Sequence, residues 1–310
     1  MKKILTGIMI MSLMACATKV PFVKSMDEIE YILPVQKVKL SNQTELAYIE
    51  EGTGNQTIIF IHGLGSYLSA WNKNFTELSK DYHCIAIDLP GYGKSSKGNY
   101  AYSMSYYAGV IKELIDKKGL KNVVLAGHSM GGQIALTTAL MYPNSVSKLI
   151  LVDPAGFETF NKGQKDWLRN VMVPDLVKFT TAEQIRTNLA VNFYNMPSDA
   201  EFMINDRMAI RGAADFDAYC YAVSQSVKGM VDQPVYEFLP QIKQTTLTFF
   251  GAEDNLIPNR FLNGGKTEKY ATDGNSRLPN SKLVMLEKTG HFAQFEKADQ
   301  VNAEIKEFLK

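Results

Sequence analysis

Val123-Val124-Leu125-Ala126-Gly127-His128-Ser129-Met130-Gly131-Gly132-Gln133-Ile134 is the stretch whose reading decides the fold. Its first four residues are all apolar, two of them β-branched, as in a strand buried on both faces. From Gly132 to Tyr142 the residues suit a buried helix. Between them, Gly127-His128-Ser129-Met130-Gly131 fits the pattern G-x-S-x-G. That pentapeptide carries meaning only where a strand enters it and a helix leaves it, and both are present. The glycines let the chain turn sharply and the helix pack closely, leaving the Ser129 hydroxyl at the tip of the turn.

Working outward, further short apolar runs read as buried strands: Thr57–Ile61, Cys84–Ile87, Leu149–Val152, Thr246–Phe250 and Lys282–Leu286. Helices are expected at Ala70–Ser79, Tyr102–Lys118, Gly132–Tyr142 and Asp299–Leu309, the last with Val301, Ile305, Phe308 and Leu309 on one face. Alternating strands and helices imply an α/β, doubly wound parallel sheet with right-handed crossovers. Ahead of it, Val35–Leu40 and Glu45–Glu50 alternate around Ser41-Asn42-Gln43, an antiparallel hairpin. The alternation breaks over residues 157–240. No sheet strand is visible there, and the stretch is too long for a bare loop. Leu168, Met172, Val173, Leu176, Val177 and Phe179 have near-helical spacing, as do Ile204, Met208 and Arg211. A helical lid over the strand ends is expected, where open α/β sheets bind ligands. The core is then residues 31–156 and 241–310.

A serine hydroxyl needs a base, and there are only four histidines. His128 lies inside the turn with its ring expected to point away. His62 ends a strand, and His83 opens another far from the motifs. His291, just past the last strand in Lys288-Thr289-Gly290-His291-Phe292, is the base. Its acid partner fixes the tautomer and balances the imidazolium. Asp254, in Gly251-Ala252-Glu253-Asp254-Asn255, is the preferred candidate. Asp153 at the end of Leu149–Val152 is the rival, and Glu253 is a weaker one expected to face solvent. The oxyanion formed by acyl transfer needs backbone donors, for which the amides of Met130 and Leu64 are the candidates. Gly93-Lys94-Ser95 mimics the end of a phosphate loop, but Asp88 occupies the position that needs glycine. No cofactor site, nucleotide site or Cys/His metal cluster is expected.

Lys plus Arg number 33 and Asp plus Glu 32 among 310 residues, so no basic field attracts nucleic acid. The composition, 45% hydrophobic and 21% charged, is globular. Lys2 and Lys3 precede an apolar run, Ile4–Met14, too short to span a bilayer and typical of an export signal over residues 1–15. Leu13-Met14-Ala15-Cys16 is similar to a bacterial lipobox, after which Cys16 carries lipid and residues 16–30 form a tether. Ala15-Cys16-Ala17 also fits an ordinary cleavage site, which leaves a plain secreted protein. The expectation is an exported membrane lipoprotein whose mature form carries 31 basic and 32 acidic side chains. A Cys84–Cys220 disulfide is not expected, since two lone cysteines show no framework spacing.

His62-Gly63-Leu64-Gly65, Asp88-Leu89-Pro90-Gly91-Tyr92-Gly93-Lys94-Ser95, Gly127-His128-Ser129-Met130-Gly131-Gly132, Gly251-Ala252-Glu253-Asp254 and Gly290-His291 resemble, in order, the motifs of the α/β-hydrolase superfamily. The resemblance runs from about Val35 to Lys310, apart from the lid. It implies an eight-stranded, mostly parallel sheet with helices on both faces, a helical lid and no cofactor. Ser129 departs from the carboxylate nucleophile of dehalogenases and epoxide hydrolases. Ser129-Met130-Gly131-Gly132 is shared with carbon–carbon bond hydrolases, but Phe292 stands where those commonly have Trp. The resemblance therefore implies an esterase or small lipase acting on a small-molecule ester. Trp167, Met172, Phe193, Tyr194, Met196, Phe202, Met203 and Met230 supply apolar lid surface suited to acyl chains. Carbon–carbon hydrolase, acyltransferase, perhydrolase and non-turnover receptor remain alternatives. Arg186, Arg207 and Arg211 are read as solvated helix faces rather than binders of a substrate carboxylate.

Overall fold

The computed structural model describes residues 20–41 and 43–310. The export segment and Cys16 lie outside the described residues. Eight strands form one sheet: β1 (Gln36–Lys39), β2 (Glu45–Glu51), β3 (Thr57–Ile61), β4 (His83–Ile87), β5 (Val123–His128), β6 (Lys148–Val152), β7 (Thr245–Gly251) and β8 (Ser281–Leu286). Their spatial order is β1-β2-β4-β3-β5-β6-β7-β8. The expected hairpin pairs Gln36 with Tyr48 and Lys39 with Glu45, and β2 joins β4 antiparallel. From β4 to β8 every pairing is parallel. The chain therefore folds as an eight-stranded, mostly parallel α/β sheet.

The continuous apolar runs read correctly as two-sided burial in the middle of the sheet. Every residue of β3 and β5 is buried. β8 differs, because it pairs only with β7 and is half-exposed along most of its length. Helices α1 (Asn72–Leu78), α2 (Met104–Lys118) and α3 (Met130–Met141) follow the first parallel strands. The second begins two residues later than its pattern suggests. Tyr102 has φ +49°, and Ser103 caps the helix by accepting from the Tyr106 amide.

Five helices stand between β6 and β7: α4 (Lys162–Val171), α5 (Pro174–Lys178), α6 (Ala182–Ala190), α7 (Glu201–Ala209) and α8 (Phe216–Asp232). The single periodic run expected across 168–179 is two helices, since proline cannot continue a helix and Pro174 opens the second. After β7 come α9 (Thr267–Ser276), α10 (Ala293–Glu296) and α11 (Ala298–Leu309). Among the described residues no helix is long and apolar enough to cross a membrane. Cys84 and Cys220 are both buried and free.

One expectation is corrected here. Residues 20–30 are no solvated tether. Met26 is 2% exposed within the main core, and Val23 N–H and Lys24 C=O bond to Ala209 and Ala214. Met26 and Ile29, three apart, bury apolar surface that water would otherwise face. Asp88, which rules out a phosphate loop, organises its turn instead. Its buried carboxylate accepts from the Leu68 and Lys94 amides and the Tyr31 hydroxyl.

Candidate active site

The site is built where β5 turns into α3. Ser129 sits at φ +53°, ψ −119°, a region costly for any residue with a Cβ. Close packing enforces the turn. A Cβ on Gly131 would lie 2.2 Å from the Ile61 carbonyl oxygen, and one on Gly127 2.3 Å from that of Gly131. The Ser129 amide donates to Val152 C=O and its carbonyl accepts from Ala155, so the neighbouring strand holds the turn. Helix α3 opens at Met130, whose amide is one of the first-turn donors that have no intrahelical acceptor. The loop after β3 presses on the same point. A Cβ on Gly63 would stand 3.1 Å from Ser129 Cβ, which brings Leu64 alongside the serine.

Asp254 and His291 come together from the loops after β7 and β8. His291 Nδ1 donates to Asp254 Oδ2 at 2.8 Å, with the acid fully buried and the histidine 2% exposed. The other oxygen of Asp254 accepts from the Leu256 amide at 2.7 Å and the Ile257 amide at 3.2 Å, which fixes the carboxylate plane. Asp153, the rival, is also fully buried and accepts from the Gly251 amide at 2.8 Å. Burial and then the charge of Asp254 push its carboxyl well above the usual range. One ligand atom from each of Asp153, Asp254 and His291 lies within 4.8 Å of the others, the one group of this kind among the described residues. Asp254 and His291 already use these atoms to bond each other, which makes the group a poor donor set for a cation.

The other histidines have structural partners. His62 is buried, donates from Nδ1 to Gly63 C=O and accepts at Nε2 from the Leu89 amide. Burial lowers its pKa to about 4. His128 Nε2 donates to the His291 carbonyl at 2.8 Å, and burial followed by the neighbouring His291 drives its pKa well below normal. Its ring does not point away from the site as expected but packs 4.9 Å from that of His291. His83 bridges Thr57 and Glu50 on the sheet.

A cavity of about 730 Å³ opens beside these residues, with Leu64 and Phe292 in its wall. Most of the remaining lining is apolar, and α5, α6 and α7 all contribute to it. A family model described as alpha/beta hydrolase fold matches residues 56–298. The chain belongs to that family. Among its relatives is a 2-hydroxy-6-oxononadienedioate/2-hydroxy-6-oxononatrienedioate hydrolase of Burkholderia vietnamiensis. It is 27% identical over 285 residues, covering 89% of this chain and 94% of that one. The dihydrolipoyllysine-residue acetyltransferase component of an acetoin cleaving system from Cupriavidus necator is 26% identical over 266 residues. This chain spans 66% of that protein's length, and the match covers 84% of the chain. A crystal structure of a bacterial membrane phospholipase A superposes with a TM-score of 0.72 at 27% identity, covering 89% of this chain and 86% of that one.

Within this alpha/beta hydrolase, sequence reasoning misplaced several side chains. Glu253, expected in solvent, accepts from the Thr289 amide and braces the loop that carries His291. Of the eight apolar lid residues named from the sequence, Met172 and Met203 line the cavity. Phe193, Met196, Phe202 and Met203 pack with Phe292 and Phe295 beneath it, while Trp167 and Tyr194 are exposed. Arg186 is paired with Glu201 at the surface. Arg207 is not a solvated face: it lines the cavity, stacked 5.2 Å over Phe216 and 5.0 Å over Tyr219. Glu296 was missed altogether. Its carboxylate accepts from the amides of Gly290, Tyr194 and Asn195, tying the His291 loop to the helical insertion. The spacing of Glu296 from His291 carries no signal that would have found it.

Proposed function

We propose that this chain is a serine hydrolase of carboxylic esters, working through an acyl-enzyme. Ser129 Oγ attacks the ester carbonyl while His291 Nε2 takes its proton. Asp254 holds the imidazole tautomer and balances the imidazolium. The carbonyl oxygen becomes an oxyanion held by the amides of Leu64 and Met130. As the intermediate collapses, His291 returns the proton to the departing alcohol. Water, activated by the same histidine, then releases the acid. The observation that carries this reading is the buried 2.8 Å bond from His291 to Asp254 in a chain whose Ser129 sits at the strained turn. The apolar cavity beside Leu64 favours an ester with an apolar chain.

The test is turnover of p-nitrophenyl esters together with labelling by a fluorophosphonate. Ser129→Ala is expected to lose labelling and on the order of 10⁶ in kcat. Persistent labelling of that variant would move the nucleophile elsewhere, and a single slow burst in the wild type would favour a receptor over an enzyme. A second reading, carbon–carbon bond hydrolysis, is favoured by Arg207. Its Nη1 is buried in the cavity wall with no hydrogen-bond partner among the described residues, a position suited to a substrate carboxylate. Product analysis with a vinylogous 1,5-diketone distinguishes the two. At the N-terminus, the proposal is export and lipid attachment at Cys16, supported by Leu13-Met14-Ala15-Cys16. Palmitate labelling in a bacterium should mark the wild type and not Cys16→Ser; an unmodified N-terminus by intact mass would defeat it.

A further inference from the structure

Residues 20–31 precede the part of the chain that matches the family model, yet they are built into the cavity. Met26 and Ile29, 2% and 7% exposed, face it alongside Met203 and Ile210. The segment is a strap fixed at both ends. Toward the insertion, Val23 N–H donates to Ala209 C=O at 3.1 Å and Lys24 C=O accepts from Ala214 N–H at 2.9 Å. The Met26 amide donates to Asp215 Oδ1 at 3.2 Å, and Asp215 also pairs with the buried Lys97 of the core at 2.9 Å. At the other end Tyr31 Oη donates to the buried Asp88 at 2.7 Å.

The opposite wall is made differently. Helices α5 and α6, which line it, bury one residue each. Short helices with so few buried contacts are the low-stability end of a structure and yield to a bound chain. A wall that yields does not set a length limit; a wall pinned by hydrogen bonds to both the sheet core and the insertion does. We propose that Met26 and Ile29 are specificity-determining residues that set how long an apolar chain the cavity accepts. The proposal rests on the ester-hydrolase reading of the site.

The experiment uses the full chain and two ester series, p-nitrophenyl esters of graded acyl length and alkyl butyrates of graded alcohol length. The quantity read is kcat/KM for each chain relative to the shortest member. Ile29→Trp is expected to lower that ratio at least about tenfold for the longest chain the wild type favours, since one methylene in an apolar pocket is worth roughly 10- to 200-fold. Ile29→Ala is expected to raise it for longer chains. Asp27→Asn, on the outward side of the same turn, keeps the wild-type ratio. Folded Ile29 variants with unchanged ratios in both series would overturn the proposal while leaving ester hydrolysis intact. Should the Trp variant not fold, the Ala variant decides alone. A second arm measures binding of saturated fatty acids of graded length to Ser129→Ala by calorimetry, with and without Ile29→Ala. A length preference that shifts there while the wild type cleaves no ester would retain the strap's role and remove the esterase reading. No shift in either arm removes the strap's role.

Discussion

Asp254 gives one oxygen to the ring of His291 and the other to two backbone amides, so its negative charge is met on both sides. Asp153 is buried with the Gly251 and Ala293 amides beside it, and it faces a second carboxylate. Burial and the neighbouring carboxylate both raise the Asp153 carboxyl. Asp254→Asn is therefore expected to cost on the order of 10⁴ in kcat by permitting the wrong imidazole tautomer. Asp153→Asn keeps the side chain's shape and leaves the Asp254–His291 bond in place, and should cost far less. The same variant should be at least as stable as the wild type at pH 7. An acid whose folded pKa is raised loses stability as pH climbs from its unfolded value through the folded one, and asparagine removes that loss. Ester turnover and urea midpoints of the two variants check this; a reversed order of kcat would exchange the two roles. The pairing of Asp254 with His291 was legible in sequence because each lies in a loop past a strand end. What sequence could not supply was the raised carboxyl of Asp153, which depends on residues far apart in the chain meeting in the interior.

At the level of elements, the strands and sheet-packed helices were readable because two-sided burial leaves uninterrupted apolar runs. The insertion was readable only as helical. Helices α4, α5 and α6 bury at most one residue each, and Val173, Leu176 and Phe179 remain exposed, so the apolar positions there point to no single buried face. The strap was missed because two apolar residues three apart among polar neighbours are too short a pattern to register as structure. Helix α10 shows the same limit: its four residues carry no periodicity, yet Glu296 at its end joins three amides of the His291 loop and the insertion. Hydrogen bonds to a charged acceptor contribute about 1.5–3 kcal/mol when buried and less at the surface. Two of these three are exposed, so Glu296→Ala is expected to lower stability by about 2 kcal/mol in all. Because the Gly290 amide is released next to the proposed base, kcat should fall more than KM changes. A urea midpoint equal to wild type, with kcat unchanged, would show that the clasp neither stabilises nor positions anything.

For the molecule as a whole, two of its buried histidines, His62 and His128, tie stability to pH. His62 has partners at both ring nitrogens that suit the neutral form, and burial lowers its pKa to about 4. His128 is shifted in the same direction. For a base with a depressed folded pKa the unfolded chain takes up protons first, beginning near the ordinary value of about 6.5. The stabilising contribution is thus complete above that value and is lost as pH falls toward about 4. Between pH 7 and pH 5 the loss from His62 alone is about 2 kcal/mol. Raw stability will not show this cleanly, because buried acids raised by desolvation, Asp153 and Asp88 among them, act with the opposite sign over the same range. The comparison that isolates the histidine is between the wild type and His62→Gln, since glutamine can both donate and accept but does not titrate. The variant should be less stable at pH 7, where His62 is well matched to Gly63 and Leu89. The difference should shrink by about 2 kcal/mol at pH 5, where the wild type alone bears the cost of keeping a neutral imidazole. Urea midpoints of both proteins at the two pH values give the four numbers needed. A gap that stays constant would mean that His62 is protonated in the folded protein or that the Leu89 amide is satisfied by another acceptor.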